Sequence, residues 1–149
     1  MTARDQGSTV QVEVNWEKDL IFKVDFDGLK VPKIHVDETN KDEAEMVGVT
    51  PARLLASAVG SCLASSLAFC MSKRDVQVES LIAKARATTG RDLVGGLRVQ
   101  EIAVDLFPKT TNPAAIKRLG ECKKVFEKFC TVTESVRKGI KVIVNVHDS

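Results

Sequence analysis

The chain contains no tyrosine, one tryptophan and two histidines in 149 residues, and aromatic side chains make up only 5% of it. Its 22 basic residues nearly balance 20 acidic ones, for a net charge of +2, and the two signs are interspersed. The basic stripe and aromatic platforms of a nucleic-acid binder are therefore missing. The opening MTARDQGSTV lacks the apolar stretch of a signal peptide, so the expected location is the cytoplasm. No Cys-x-x-Cys occurs, and His35 and His147 lie far apart, so neither a structural zinc site nor any other resident cofactor is expected. Internal repeats, low-complexity runs and splitting linkers are absent as well, which leaves residues 1–149 as one expected domain.

Within those limits the composition is ordinary: 44% hydrophobic and 28% charged, enough to bury a core at this length. The unusual segment is Leu54–Ser72, nineteen residues without a charge, close to the length of a bilayer span. Small residues recur four apart in it, at Ala56 and Gly60, Ser61 and Ser65, and Ala64 and Ala68, as in paired membrane helices. Five of the nineteen are serine, however, and the rest of the chain is patterned as a soluble domain. A buried helix is the reading adopted, with no membrane partner. A helix apolar on every side must be surrounded by protein, which in so short a chain suggests a second subunit.

Around this helix the pattern alternates between periods. Residues 9–14, 20–26 and 29–36 read as strands, the last two flanking Asp27-Gly28 as a hairpin. Thr50-Pro51 supplies an N-cap and a first-turn proline for a helix to about Lys73. Residues 76–88 and 97–107 read as two further strands around a glycine-bearing turn. Asn112-Pro113 opens a second helix with an apolar stripe at Ile116, Leu119, Cys122, Phe126 and Phe129. Thr131-Val132-Thr133-Glu134 fits a capping box with Thr131 as N-cap, Gly139 a helix stop, and 140–146 a closing strand. The fold class is α+β.

The cysteines fall into two pairs with the same gap, Cys62/Cys70 and Cys122/Cys130. Eight helical residues separate two side chains by about 12 Å along the axis, so neither local pair can close a disulfide while helical. Any useful pairing takes one cysteine from each region. In a reducing cytoplasm all four are expected as thiols at rest. Cys130 stands before a helix N-terminus, where thiolate is favoured, but it also ends the Phe126/Phe129 stripe. Cys62, in mid-helix, reads as a small buried thiol unless a charged partner is brought to it. Cys122 and Cys70 read as core.

The stretch GVTPARLLASAVGSCLASSLAF resembles the central-helix motif of the OsmC/Ohr family, the osmotically inducible and organic-hydroperoxide-resistance proteins. The segment FEKFCTVTESVRKGIKVIVNV resembles that family's second-cysteine region. The resemblance implies an intertwined homodimer in which antiparallel sheets wrap the long central helices. It implies Cys62 as the peroxidatic cysteine, Cys130 as the resolving one, and a Cys62–Cys130 disulfide formed during reduction of organic hydroperoxides to alcohols. An external dithiol, such as a lipoyl protein, would reopen that bond. Ohr-type members carry Glu directly after the helix-start proline, other branches one residue later; Ala52 and Arg53 stand there instead. Their activating arginine segment is also absent, leaving Arg4 as the only early arginine, which implies the broader OsmC-like branch. Arg53 is either an exposed first-turn arginine or the substitute activating cation, with Asp37, Glu38, Glu43 and Glu45 near it in sequence as orienting carboxylates. The alternative function is a non-catalytic dimer that binds a small apolar ligand or senses redox state.

Overall fold

The structure, a computed structural model, describes residues 7–148; Arg4 lies outside them. The chain divides into two compact units, residues 1–54 and 55–149.

The first unit is a three-stranded antiparallel sheet of β1 (Glu13–Lys18), β2 (Ile21–Asp25) and β3 (Ile34–Asp37), in that spatial order. The tight hairpin is not at Asp27-Gly28, as the sequence predicts, but between Lys18 and Ile21, where Asp19 takes a positive φ of 48°. Gly28 does turn the chain, at φ 79°, yet Pro32 and its neighbours stay outside the ladder and strand pairing resumes only at Ile34. Proline has no N–H to donate, so the long second arm expected at 29–36 cannot pair throughout. Asp37 is 1% exposed, and its carboxylate accepts bonds from the backbone N–H of Thr39 at 2.9 Å and of Val47 at 3.1 Å, and from the Thr39 hydroxyl. Those bonds, the Thr39 hydroxyl first, hold its pKa below the ordinary carboxylate value. Val49 then bridges Val36. A Cβ on Gly48 would collide with the His35 carbonyl, so the chain needs glycine to pass there.

Helix α1 (Pro51–Lys73) starts as expected: the Thr50 side chain accepts from the Arg53 N–H at 3.2 Å. It is long and apolar enough to cross a bilayer. Its burial is one-sided, however. Ala56, Val59, Gly60, Leu63, Leu67, Cys70 and Met71 form the buried face, while Ser57, Ala58, Ser61, Ser65 and Ala68 are exposed.

In the second unit α1 is followed by a ribbon of β4 (Ser80–Arg91) and β5 (Leu97–Lys109). Leu81, Ala83, Ala85 and Ala87 on β4 turn to the less exposed face, as do Ile102, Val104 and Leu106 on β5. Small residues on β4 let the helix come close: a Cβ added at Gly60 would sit 3.2 Å from that of Ala85. Helix α2 (Pro113–Val125) is capped by Asn112, whose side chain accepts from the N–H groups of Ala114 and Ala115. Leu119 and Cys122 of the expected stripe are buried, with Ala115 beside them, whereas Ile116 is 53% exposed. A 3-10 turn at Phe126–Phe129 then shifts the phase, leaving Phe126 half-buried and Phe129 exposed. Helix α3 (Thr131–Lys138) begins one residue earlier than the capping box predicts, with Cys130 itself at the N-cap position.

Residues 140–146 are exposed and form no strand, contrary to expectation. An alternating segment becomes a strand only where a ladder partner meets it.

Candidate functional site

Two hydrophobic clusters in the second unit hold all four cysteines. The first contains Leu67, Cys70, Met71, Val76, Ala115, Leu119 and Cys122. Here Cys70 and Cys122 are joined in a disulfide across 52 residues, tying the end of α1 to α2. This corrects two expectations: that all four cysteines rest as thiols, and that Cys70 and Cys122 are packing residues only. The pairing does take one cysteine from each region, because only residues on different helices can approach within bonding distance.

The second cluster is built on Val59, Leu63 and Cys130, with Cys62, Ile102, Val104, Val132 and Val136 packed against it. Cys62 and Cys130 are both free thiols, Cys62 half-buried and Cys130 fully buried, and they share a hydrogen bond. Cys130 Sγ also lies 2.8 Å from Thr133 Oγ1.

The two sulfurs are pushed in opposite directions. Burial raises the pKa of Cys62, and the shared proton and negative charge of Cys130 raise it further, against smaller help from the backbone at Val132 and Thr133. Burial also opposes ionisation of Cys130, but hydrogen bonds from Cys62, from the Thr133 hydroxyl and backbone, and from Ser66 outweigh it. Cys130 is therefore held below the ordinary thiol value. Its N-cap position points the same way, since the first N–H groups of a helix lack intrahelical acceptors.

A cavity of about 400 Å³ shares walls with this cluster. Leu55, Val59 and Leu63 of α1 and Ile102 and Val104 of β5 lie on its apolar side, and Glu101, Glu127, Thr133 and Arg137 are among its polar residues. Arg137 is the cation of the lining: its two Nη atoms lie 2.7 Å from Glu134 and 2.8 Å from Glu127. Both carboxylates, Glu127 foremost, raise its pKa.

Arg53, the cation offered by the sequence, lies in the first unit and donates to Glu43 Oε1 at 2.7 Å, with more than half of its side chain exposed. Glu43 is one of the carboxylates expected to orient it. Arg137, Thr133 and Ser66 escaped the sequence reading, though spacing could have found them. Seven residues, two helical turns, separate Cys130 from Arg137, and four separate Cys62 from Ser66. Among the described residues, no group of three or more His, Cys, Asp or Glu is placed to hold a metal.

The sequence profile of the OsmC-like protein family matches residues 39–145. No curated protein matches the chain in sequence. Solved structures do. An OsmC-like protein of unknown function from Vibrio cholerae superposes with a TM-score of 0.69 at 18% identity, covering 87% of this chain and 94% of that one. The organic hydroperoxide resistance protein OhrB of Bacillus subtilis gives 0.63 at 17% identity, covering 87% and 91%. An organic hydroperoxide resistance protein OsmC from Legionella pneumophila gives 0.61 at 15%, covering 87% and 90%. At these identities the structures establish the shared α+β fold with its antiparallel sheets, and the profile establishes kinship. The chain belongs to the OsmC-like protein family, whose fold it shares with organic hydroperoxide resistance proteins.

Proposed function

We infer that the protein is a thiol-dependent peroxidase that reduces organic hydroperoxides. The observation that carries this reading is the meeting of two free thiols, Cys62 and Cys130, in a cluster whose Val59, Leu63, Ile102 and Val104 also line a largely apolar cavity, with Thr133 and Arg137 on its polar side. The apolar wall suits the organic part of the substrate. Arg137, pinned by two carboxylates, is the proposed cation that polarises the peroxide, in the place for which the sequence offers Arg53.

Cys62 is the attacking sulfur, because it keeps partial exposure where Cys130 has none. As attack begins, its proton passes along the shared hydrogen bond to the Cys130 thiolate, a transfer against the two pKa shifts that cleavage of the O–O bond drives. The Cys62 sulfur bonds to the terminal peroxide oxygen, the O–O bond breaks, and the other oxygen leaves as an alcohol carrying that proton. Cys62 is then a sulfenic acid. The Cys130 thiolate attacks that sulfur, a disulfide forms, and the departing hydroxide takes a proton from solvent to become water. A dithiol reopens the bond by two exchanges; a lipoyl-bearing protein is the reductant the family resemblance implies.

A second copy of the chain is the proposed cover for the exposed small-residue face of α1. The test of function is turnover. Reduced protein supplied with cumene hydroperoxide and dihydrolipoamide is expected to consume peroxide, and Cys62→Ser to abolish it. No consumption by the unmodified protein would overturn the reading and leave the apolar-ligand binding module in its place.

A further inference from the structure

The Cys70–Cys122 bond takes no part in the chemistry above, yet it has its own cation. Arg74, just past the end of α1, places Nη1 2.9 Å from Cys70 Sγ and 3.9 Å from Cys122 Sγ. The arginine is held from two sides. Its Nε lies 3.8 Å from Glu121 on α2, and its carbonyl accepts from Arg118 Nη1 at 3.0 Å. Its side chain is 37% exposed, whereas the sulfurs beneath it belong to residues 7% and 0% exposed. A guanidinium gives little to a neutral disulfide but stabilises a thiolate strongly. Its position therefore favours the reduced state of this pair.

We propose that Cys70, Cys122 and Arg74 form a second thiol–disulfide exchange site, at which a dithiol reductant opens the bond between α1 and α2 and Arg74 receives each departing thiolate. The site stands whether or not the peroxidase reading does. A thiolate of the dithiol attacks Cys70 Sγ, the more accessible sulfur, and Cys122 leaves as a thiolate facing Nη1. The second thiolate of the reductant attacks its own sulfur in the mixed disulfide, and Cys70 leaves in turn. Two electrons pass to the cysteines, the dithiol becomes a disulfide, and its two protons end on Cys70 and Cys122. The first site is too distant for direct exchange, since Cys62 and Cys70 are separated by about 12 Å of helix axis.

The test equilibrates the full chain in dithiothreitol redox buffers, traps thiols by alkylation and reads each cysteine peptide by mass spectrometry. Arg74→Met is expected to lower the equilibrium constant for reducing Cys70–Cys122 about tenfold, which is about 30 mV toward more negative potential. Arg74→Lys should restore most of it, and the Cys62/Cys130 midpoint should not move. A second measurement does not depend on the disulfide. In Cys122→Ser, iodoacetamide at pH 7 should modify Cys70 about ten times faster than in Cys122→Ser with Arg74→Met. An unchanged midpoint in Arg74→Met, equal alkylation rates, or reduction of the pair only in denaturant would each overturn the proposal.

Discussion

At the scale of single residues, the site rests on one proton shared by two sulfurs. Cys62 is kept from ionising by burial and then by Cys130, while Cys130 is favoured by Cys62, Thr133 and Ser66. Removing Cys130 removes two of the influences that raise Cys62. Cys130→Ala is thus expected to move the midpoint of Cys62 alkylation against pH downward, although burial remains. A midpoint that stays or rises would contradict the coupling. Arg137→Met should lower kcat/KM for cumene hydroperoxide by about a hundredfold, the scale of losing one preorganised donor to a developing oxyanion. Arg53→Met should leave kcat/KM within a few-fold, because more than half of its side chain is exposed. The cysteine pair was offered by the sequence through the family resemblance, whereas for Cys130 the sequence left thiolate and stripe end both open, and its cap was placed one residue late. Arg137 was legible only as a position two helical turns from Cys130. Its role depends on where a short helix points, and local pattern does not encode that.

At the scale of elements, caps and periodicity located most of the fold. Asn112-Pro113 and Thr50-Pro51 start helices where they were expected to, and the two faces of the β4–β5 ribbon alternate as read. Asn112→Ala is expected to cost about 1 kcal/mol, measured as a lowered midpoint in denaturant, because the N–H groups of Ala114 and Ala115 lose their acceptor. What misled was pattern without partner. Residues 140–146 alternate as a strand should, but pairing is decided by what lies beside a segment. The Cys70–Cys122 bond was missed for a similar reason, since a cysteine on an apolar stripe looks like core until its neighbour is known. On the chain-entropy account, a link across 52 residues contributes about 4 kcal/mol. Thermal unfolding of Cys70→Ser should show a loss of that order.

At the scale of the whole molecule, acid sensitivity and assembly come to the fore. Asp37 has a folded pKa below its unfolded value, so its contribution is complete above the unfolded value and disappears as pH falls through the folded one. Asp37→Asn should weaken the acid-induced part of unfolding below about pH 4, as followed by circular dichroism. The proposed dimer makes a separate demand on α1. Ser61→Arg, on its exposed face, should shift sedimentation from dimer toward monomer, and a wild-type chain that sediments as a monomer would remove the second copy from the account. Cys62 and Cys130 are proposed to act together on a peroxide. Adding one equivalent of cumene hydroperoxide to the protein reduced at these two cysteines, and mapping the product by peptide mass spectrometry, puts that joint action to the test. A Cys62–Cys130 disulfide is expected in the wild type, and a trappable Cys62 sulfenic acid in Cys130→Ser. Oxidation confined to other residues, with both thiols intact, would contradict joint action.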